Sequence, residues 1–381
     1  MEPVTGPVRV LHLLSSLEMG GTEKMVCDLF TACAKSEKAR LYYIVMNDKW
    51  LPEYRTALEQ SGAKGSFFQR REGDKHPRYL RMLLRFVRQN KIDVIHAHTT
   101  GGKYWAMLLK VLTPPLKLVY SVHSTFDVVR YQGARLALHR RMVDWNIANS
   151  DIVLTQCHEK ELVKSSRVYN GFMVGAFRQR LPGPPAAPPR LVLVARIRPQ
   201  IKGHDLLLEA AAQCKAQGFP GHITLMGEDE GPCKSGGDAM KELAAKLGIA
   251  DSVEFTGKRT DVAEILCRYD VLVCPSRKEG FGLTIVEGMA AGLLVIAADG
   301  EGPAELVADG QTGFLFRNGD AAHLAQTILR ALRDTPQQQR DEMVKLAKEL
   351  AGGFDITGRA EGYTAVYRQV AAKRVGVVKH E

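Results

Sequence analysis

Short apolar runs alternate with amphipathic segments along the whole chain, and this alternation constrains the fold more than any other feature. In the first half, the strand-like runs cover residues 8–14, 41–46, 93–96, 117–122 and 152–156, and the helical segments include 22–35, 78–90 and 101–112. Strands that alternate with helices predict a mostly parallel sheet covered by helices on both faces. The first half is therefore predicted to be a doubly wound α/β domain.

The same pattern restarts after residues 180–189, which read RLPGPPAAPP and predict a stiff, extended linker. The later strand-like runs are 191–194, 223–226, 253–255, 271–274 and 294–297, and the helical segments are 204–217, 237–247, 261–268, 282–291, 320–334, 337–350 and 357–371. A chain of 381 residues is long for a single core. We therefore predict two α/β domains that form a cleft suited to a two-substrate reaction.

Cysteine usage and the N-terminal sequence predict a cytoplasmic protein. Seven cysteines are scattered along the chain without a CxxC pair, which argues against a disulfide framework or a zinc site. The N-terminus lacks a basic segment followed by an apolar core, and no apolar run reaches the length of a membrane span. GxSxG and P-loop motifs do not occur, and the acidic residues 228–230 lack further spaced ligands that would indicate a metal site.

Positive charge is concentrated in the first half. Residues 1–180 contain 28 Lys and Arg against 16 Asp and Glu, whereas the remainder contains 24 against 26. A basic half predicts an acidic partner, for which a membrane surface, a phosphorylated acceptor and a nucleic acid are the choices. Because no known nucleic-acid recognition motif occurs, we predict no nucleic-acid partner.

One predicted helix, residues 78–90, presents several of these charges on a single face, while its leucines and Val87 are predicted to turn towards the core. The arginines of this face are Arg78, Arg81, Arg85 and Arg88, and Arg140 belongs to a second basic cluster. Such faces rest on anionic lipid or bind an acceptor in some proteins and are simply solvated in others. The charge imbalance between the halves favours a functional acceptor or membrane face.

Glu279 and Glu287 are the most informative residues of the second half. They lie in EGFGLTIVEGMAAG, where a buried strand leads into a glycine-rich turn and an apolar helix. Both carboxylates are predicted to face a pocket at the carboxyl end of the sheet, where open α/β folds bind ligands. The amides of residues 280–283 open the helix and suit an anion. Carboxylates for hydroxyl groups beside amides for phosphate predict a nucleotide-sugar site.

Arg196 and Lys202 follow the first strand of the second half. A guanidinium and an ammonium group in that position suit a leaving diphosphate, because one offers a planar fork of donors and the other a point charge. Charged residues are also common on solvated loops, so their position alone leaves both interpretations open.

Three features of the first half have a functional and a structural interpretation. Gly20 and Gly21 fit a phosphate-binding turn or an ordinary strand-to-helix turn capped by Thr22. His123 follows a strand and is placed to reach a cleft, but by position alone a buried structural histidine is favoured. His96 and His98 share one face of a strand without an apparent third metal ligand, so we favour a cleft-lining role for them.

Together these stretches resemble glycosyltransferase family 4, whose retaining, nucleotide-sugar-dependent members have the GT-B fold. The resemblance covers nearly the whole chain and is strongest over residues 190–317. The family's E-x7-E motif, at Glu279 and Glu287, is the most specific element. The others are Gly-Gly-x-Glu at 20–23, HAH at 96–98, His123, Asn170-Gly171, the Arg-to-Lys-Gly run at 196–203, Phe-Thr-Gly at 255–257 and GQTGFLF at 310–316.

The resemblance implies an α/β, GT-B architecture of two Rossmann-like doubly wound domains that face a cleft. The N-terminal acceptor-binding domain would cover residues 1–172, and a proline-rich linker would cover 173–189. The nucleotide-sugar-binding domain would cover 190–355, and a C-terminal helix over 356–381 would pack back on the N-terminal domain.

The resemblance also implies a role for each candidate residue. Arg196 and Lys202 would bind the donor diphosphate, with Arg198 as an alternative to Arg196, and Glu279 would bond the sugar hydroxyls. His123 would contact the donor sugar and complete the catalytic set. The remaining donor contacts would come from Gly20, Gly21, Lys258, Phe281, Gly282, Leu283 and Glu287, with Glu287 on the ribose. No metal or cofactor is implied.

We therefore predict a metal-independent, retaining glycosyltransferase at the inner face of a bacterial membrane. It would move a hexose-type sugar from a UDP-sugar, or as second choice a GDP-sugar, to a lipid-linked, lipopolysaccharide or other glycan acceptor. Two alternatives remain: a GT-B-like nucleotide-sugar epimerase that needs no acceptor, and a non-catalytic scaffold that binds nucleotide-sugars. Intact Arg196, Lys202 and both glutamates argue against a site that has lost its activity.

Overall fold

The structure, a computed structural model, describes residues 6–162, 164–229 and 235–372. It divides into two compact units: unit 1 contains the residues up to Phe172 and from Ile356 onwards, and unit 2 contains residues 173–355. The stretch predicted as a linker, 173–189, thus belongs to unit 2. The predicted C-terminal segment is described as far as Ala372, and its remaining residues lie outside the described part of the chain. Glu230 and Cys233, in unit 2, also lie outside the described residues.

Unit 1 contains a parallel sheet of seven strands. Its strands are β1 (Val8–Leu14), β2 (Ala39–Asn47), β3 (Lys64–Arg70), β4 (Val94–Ala97), β5 (Lys117–Val122), β6 (Trp145–Ala148) and β7 (Ser165–Arg167), in the order β3-β2-β1-β4-β5-β6-β7. Its helices are α1 (Gly21–Cys33), α2 (Pro52–Gln60), α3 (Arg78–Gln89), α4 (Thr100–Leu112), α5 (Thr125–Val129), α6 (Gly133–Met142) and α7 (Asp151–Glu159).

Unit 2 contains a parallel sheet of six strands. These are β8 (Arg190–Val194), β9 (His222–Met226), β10 (Val253–Gly257), β11 (Val271–Cys274), β12 (Leu294–Asp299) and β13 (Phe314–Arg317), in the order β10-β9-β8-β11-β12-β13. The helices are α8 (Pro199–Lys202), α9 (His204–Ala216), α10 (Ser235–Lys246), α11 (Val262–Ile265), α12 (Leu283–Ala290), α13 (Pro303–Leu306), α14 (Ala321–Leu329) and α15 (Gln337–Gly352). Short 3-10 turns cover Val174–Ala176, Ala250–Ser252 and Leu266–Arg268, and a π-helical turn covers Arg330–Asp334.

The last described helix, α16 (Ile356–Ala372), returns to unit 1 and packs against α1. Its Tyr363 and Tyr367 side chains are almost fully buried. The two parallel sheets and the returning helix confirm the predicted doubly wound architecture. Central strands such as β5 and β12 are nearly continuous apolar runs because both of their faces are buried.

One predicted strand is wrong. Residues 152–156 were predicted as a strand from their apolar run, but they lie inside α7. The hydroxyl of Ser150 accepts the backbone N–H of Val153 at 3.3 Å and caps this helix. The predicted set also lacked β3, β6, β7 and β13. β6 has four residues and contains Asn146, so its apolar signal is weak.

An arginine–aspartate pair anchors the amino end of the central strands in both units. In unit 1, the Arg9 guanidinium donates to Asp93 at 2.8 and 2.9 Å. In unit 2, Asp270 accepts the backbone N–H of Arg190 at 2.8 Å and the guanidinium of Arg180 at 2.9 Å. In each case the carboxylate joins the first strand of the sheet to the fourth, where the strand order reverses.

Candidate active site

The candidate residues of unit 2 follow the two strands at which the strand order reverses. β8 and β11 are neighbours in the sheet, although β9 and β10 lie between them in the chain. The loop after β8 contains Arg196 and leads to Lys202, and the turn after β11 contains Glu279. Open α/β sheets bind ligands at such a reversal, outside the carboxyl ends of the strands.

Lys202 and Glu279 form an ion pair in this region. The Lys202 Nζ atom lies 2.5 Å from Glu279 Oε2, and the two side chains are only 24% and 19% exposed. Burial lowers the pKa of Lys202, but the charge and the hydrogen bond of Glu279 outweigh it, so the pKa lies above its usual value. The ammonium group is therefore charged at neutral pH. Arg196 is exposed and close enough for its charge to act on Lys202.

Close backbone contact holds the two loops together. Gly203 has a left-handed φ of 69°, and a Cβ atom there would lie 2.0 Å from the Pro275 carbonyl oxygen. The backbone N–H of Arg277 donates to the Ile201 carbonyl at 2.8 Å. A glycine at position 203 is therefore required both by the backbone conformation and by the contact.

Arg277 adds a side-chain tie that the sequence patterns did not reveal. Its guanidinium donates to both Asp205 oxygens, at 2.8 and 2.7 Å, and to the Pro199 carbonyl at 2.8 Å. The hydrogen bond with Asp205 raises the pKa of Arg277. Burial raises the pKa of Asp205, but the Arg277 hydrogen bond and charge lower it overall. The two residues stand 72 positions apart, so no local pattern relates them.

The glycine-rich turn leads into α12 as predicted from its glycines. Gly282 caps the helix with a left-handed φ of 94°, and Leu283 is the first helical residue. Phe281 is buried, and its ring meets that of Phe354 with centroids 5.5 Å apart. Phe281 therefore offers a ligand its backbone rather than its ring. Glu287 is buried on α12.

Lys258 follows β10, at the same end of the unit 2 sheet. Its Nζ atom lies 3.9 Å from Glu228 Oε2, and the lysine side chain is about a third exposed. The contact is long and partly exposed, so it restrains Lys258 only weakly.

The Gly20-Gly21 turn of unit 1 is built differently from the predicted cap. Gly20 is the extended residue before α1, and it offers no side-chain cap, whereas Thr22 lies inside the helix. The expectation that Thr22 caps α1 is therefore wrong. The Glu23 carboxylate folds over Gly20, because a Cβ atom on Gly20 would lie 2.2 Å from Glu23 Oε2.

The structure supplies a third histidine beside His96 and His98, which the sequence did not indicate. His12, on β1, has its Nδ1 atom 3.0 Å from His98 Nε2. One possible ligand atom from each of the three histidines lies within 4.8 Å of the others, and all three are buried. His96 bonds the hydroxyls of Tyr367 and Ser121 at 2.8 Å each, and Tyr367 also lies 3.3 Å from His12 Nε2.

This histidine cluster (His12, His96 and His98) forms one chain of hydrogen bonds as it stands. Burial, the largest cause, lowers the pKa of His12 to about 3 and those of His96 and His98 well below their usual value. The rings are therefore neutral at pH 7. If protons run from His98 through His12 and Tyr367 to His96, only a lone pair, at His98 Nδ1, remains without a partner. The opposite direction would leave a buried N–H group unpaired, which costs more.

His123 lies beside this cluster, its ring stacked on His98 with centroids 5.7 Å apart. Both of its ring nitrogens are buried without a hydrogen-bond partner. Burial lowers the pKa of His123 to about 4. Asn149 donates to the His123 carbonyl at 3.0 Å and fixes the backbone there. Buried nitrogens without partners are unusual in folded proteins and point to a ligand or water contact.

The predicted basic face lies on α3. All four of its arginines are exposed, while Tyr79, Leu83 and Val87 are buried; Leu80 and Leu84 are only partly buried. Arg140 is already engaged, because it pairs with Glu161 at 2.8 Å. The neighbouring helix α4 exposes Tyr104, Leu108, Val111 and Leu112. No described helix is long and apolar enough to cross a membrane.

Two protein-family models match the chain, one in each half. Residues 19–172 match "Glycosyltransferase Family 4", and residues 188–334 match "Glycosyl transferases group 1". One curated relative is the D-inositol 3-phosphate glycosyltransferase of Nocardia farcinica, which is 33% identical over 197 residues. This match covers 50% of the chain and 43% of the relative, so it spans less than half of that protein's length. The putative glycosyltransferase EpsD of Bacillus subtilis is 28% identical over 65% of the chain and 69% of the relative.

Solved structures show the same fold over nearly the full chain. A glycosyltransferase from Rickettsia africae has a TM-score of 0.77 at 17% identity, with 96% of this chain and 98% of that chain covered. HepE from Anabaena in complex with UDP-glucose has a TM-score of 0.76 at 22% identity, with 97% and 100% covered. At these identities the likeness establishes the fold alone.

Proposed function

Because this chain belongs to the family 4 glycosyltransferases, we propose that it moves a hexose-type sugar from a nucleotide-diphosphate donor to a glycan or lipid-linked acceptor. We propose further that the sugar keeps its anomeric configuration. A UDP-sugar is the first choice of donor and a GDP-sugar the second. The similar HepE, whose structures contain UDP and glucose, supports this order.

The Lys202–Glu279 pair is the observation that supports the proposal most strongly. A mostly buried ammonium group whose raised pKa keeps it charged is suited to the negative charge that develops on a leaving diphosphate. Arg196 adds a second cation close by. Glu279, held beside them, is suited to bond the sugar hydroxyls, and the amides at the start of α12 are suited to a phosphate. In this proposal Glu287 bonds the ribose and Lys258 lies near the base.

Purified protein can be tested with UDP- and GDP-sugars side by side. We expect a UDP-sugar to raise the melting temperature more than a GDP-sugar, and we expect release of UDP to depend on an added acceptor. Nuclear magnetic resonance of the product would show the same anomeric configuration as the donor. An inverted product would contradict retention.

The same assay separates the alternatives. Interconversion of the sugar-nucleotide without an acceptor would indicate an epimerase. A rise in melting temperature without any turnover, for all donors and acceptors tried, would indicate a scaffold that only binds nucleotide-sugars. Either result would overturn the transferase proposal.

We also propose that transfer needs no divalent metal. Lys202 and Arg196 supply positive charge where a metal would otherwise be required. Among the described residues, the histidine cluster is the one group with the spacing of metal ligands, and all of its ring nitrogens except His98 Nδ1 already bond each other, Tyr367 or Ser121. Transfer should therefore persist in EDTA. Loss of activity in EDTA that is restored by one added metal would contradict this.

We propose that α3 and α4 bring the protein to an anionic membrane. The α3 arginines supply charge, and the exposed Tyr104, Leu108 and Val111 of α4 supply apolar contact. Sedimentation with phosphatidylglycerol vesicles should exceed that with phosphatidylcholine vesicles and weaken in salt. The double variant Arg81→Ser/Arg85→Ser should reduce binding, whereas Arg333→Ser, also exposed, should not. If the double variant bound phosphatidylglycerol vesicles as well as the wild type does, the proposal would be contradicted.

A further inference from the structure

The loop after β12 contains a strained residue next to the Lys202–Glu279 pair. Glu301 has φ of 43°, and it is the one non-glycine residue with positive φ in the part of unit 2 that the structure describes. Side chains are disfavoured in this left-handed region, and glycine adopts it freely. Strain of this kind persists only when the surroundings enforce it, and it is concentrated at functional sites.

The strained conformation brings the Glu301 carboxylate to the backbone of Glu279. Glu301 Oε2 accepts the backbone N–H of Glu279 at 2.8 Å. The next residue, Gly302, donates its N–H to the Glu279 carbonyl at 3.0 Å. The loop therefore holds Glu279 by both of its backbone polar groups.

Gly302 makes this contact possible because it has no side chain. A Cβ atom on Gly302 would lie 2.5 Å from the Cα atom of Phe281. The loop thus lies directly against the glycine-rich turn, backbone on backbone. The loop therefore holds the backbone of Glu279, while the Lys202 ammonium pairs with its side chain.

We propose that Glu301 is a positioning residue for sugar transfer, which keeps Glu279 oriented towards both Lys202 and the donor. A glycine at this position would relieve the backbone strain but could not accept the Glu279 N–H. The left-handed glutamate thus gives up some stability to hold the turn that contacts the donor. This inference rests on the proposed transferase function for its effect on turnover, but not for its effect on the turn itself.

Two substitutions separate strain from positioning. Glu301→Gly removes both the strain and the carboxylate, so we expect an equal or higher melting temperature together with faster hydrogen exchange in the peptide that contains residues 276–287. Glu301→Gln keeps an oxygen acceptor and should restore slow exchange there. Lys91→Gly is the matched control, because Lys91 is left-handed too, with φ of 49°, but lies in unit 1. It should leave exchange at the 276–287 peptide unchanged.

Kinetics then test the consequence. With the best donor, Glu301→Gly should lower kcat about tenfold or more with a smaller change in KM, because a misplaced group loses transition-state contacts. Glu301→Gln should recover most of kcat. If Glu301→Gly exchanges and turns over like the wild type, the positioning role is wrong. If the wild type itself shows no transfer but Glu301→Gly still loosens the turn, the proposed function fails while the positioning role stands.

Discussion

The two units share one scaffold and differ at the carboxyl ends of their strands. Both sheets place their first and fourth strands side by side, and both hold the amino ends of those strands with an arginine–aspartate pair. At the opposite edge, unit 1 gathers buried, neutral histidines, whereas unit 2 gathers ion pairs. The same sheet arrangement therefore carries different chemical groups at the carboxyl ends of its strands in the two units. The charged edge of unit 2 suits a diphosphate, and the neutral edge of unit 1 suits hydrogen bonding without charge.

The largest expected effect tests the charged edge. Lys202→Ala removes the proposed cation and leaves Glu279 without its partner, so kcat should fall by about 10²–10³. Lys241→Ala is the matched control, since it breaks an exposed pair with Asp238 in the same unit. Steady-state kinetics with the best donor measures both. Unchanged transfer in Lys202→Ala and in Glu279→Ala would show that the site is elsewhere.

The anchors at the amino ends allow a direct comparison of the scaffolds. Asp270→Ala removes the carboxylate that pairs with both Arg180 and Arg190. Because this carboxylate side chain is only 2% exposed, its loss should cost about 3 kcal/mol of unfolding free energy. Asp93→Ala removes the carboxylate partner of Arg9 alone. The Asp93 side chain is 10% exposed, so its loss should cost about 1–2 kcal/mol of unfolding free energy. Urea denaturation gives both values. The reverse ranking would show that burial of the carboxylate does not set the cost.

A third comparison tests the close backbone contact at the charged edge. Gly203→Ala would force a Cβ atom towards the Pro275 carbonyl, whereas Gly218→Ala meets nothing within 4 Å, and both glycines have left-handed φ. The strain common to both should cost about 1 kcal/mol, and the contact should add about 1–2 kcal/mol at position 203. Thermal denaturation measures this difference. Equal destabilisation would mean that the two loops separate easily.

Acidification should distinguish the two units. Burial lowers the pKa of five histidines in unit 1, including His123 and His139 to about 4, but of one described histidine in unit 2, His204. Unfolded histidines take up protons below about pH 6.5, whereas these folded ones do not, so their stabilisation is full above that pH and is lost as pH falls. Each can lower the unfolding free energy by up to about 1.4 kcal/mol per pH unit.

Unit 1 should therefore open before unit 2 on acidification from pH 6.5 to 4.5. Hydrogen exchange in intermediate urea, corrected for intrinsic rates, would resolve β1 and β4 from β8 and β11. Loss of protection in unit 2 first would contradict the comparison.

The fold was largely readable because its signals are local. The alternation predicted β1 and β5 with their observed bounds, and most of the helices that it predicted match to within one or two residues, although others such as α2, α5 and α6 were not predicted. The prediction failed where contacts with other parts of the chain determine the secondary structure. β6 and β7 are short strands that pair only in the assembled sheet. Residues 152–156 form a helix, which Ser150 caps. Such short apolar runs fit either structure until packing selects one.

The sequence by itself determined which groups stand at the ends of the strands: Glu279 and Glu287 on one turn and helix, with Arg196 and Lys202 on another loop. Only the tertiary structure decided which groups meet, because partners such as Lys202 and Glu279, Arg277 and Asp205, or His12 and His98 are more than 70 residues apart. It also decided that Glu301 adopts a left-handed backbone to hold Glu279. A local pattern specifies a strand, a turn or a helix, but the contacts across a parallel sheet arise only when distant strands come to lie side by side.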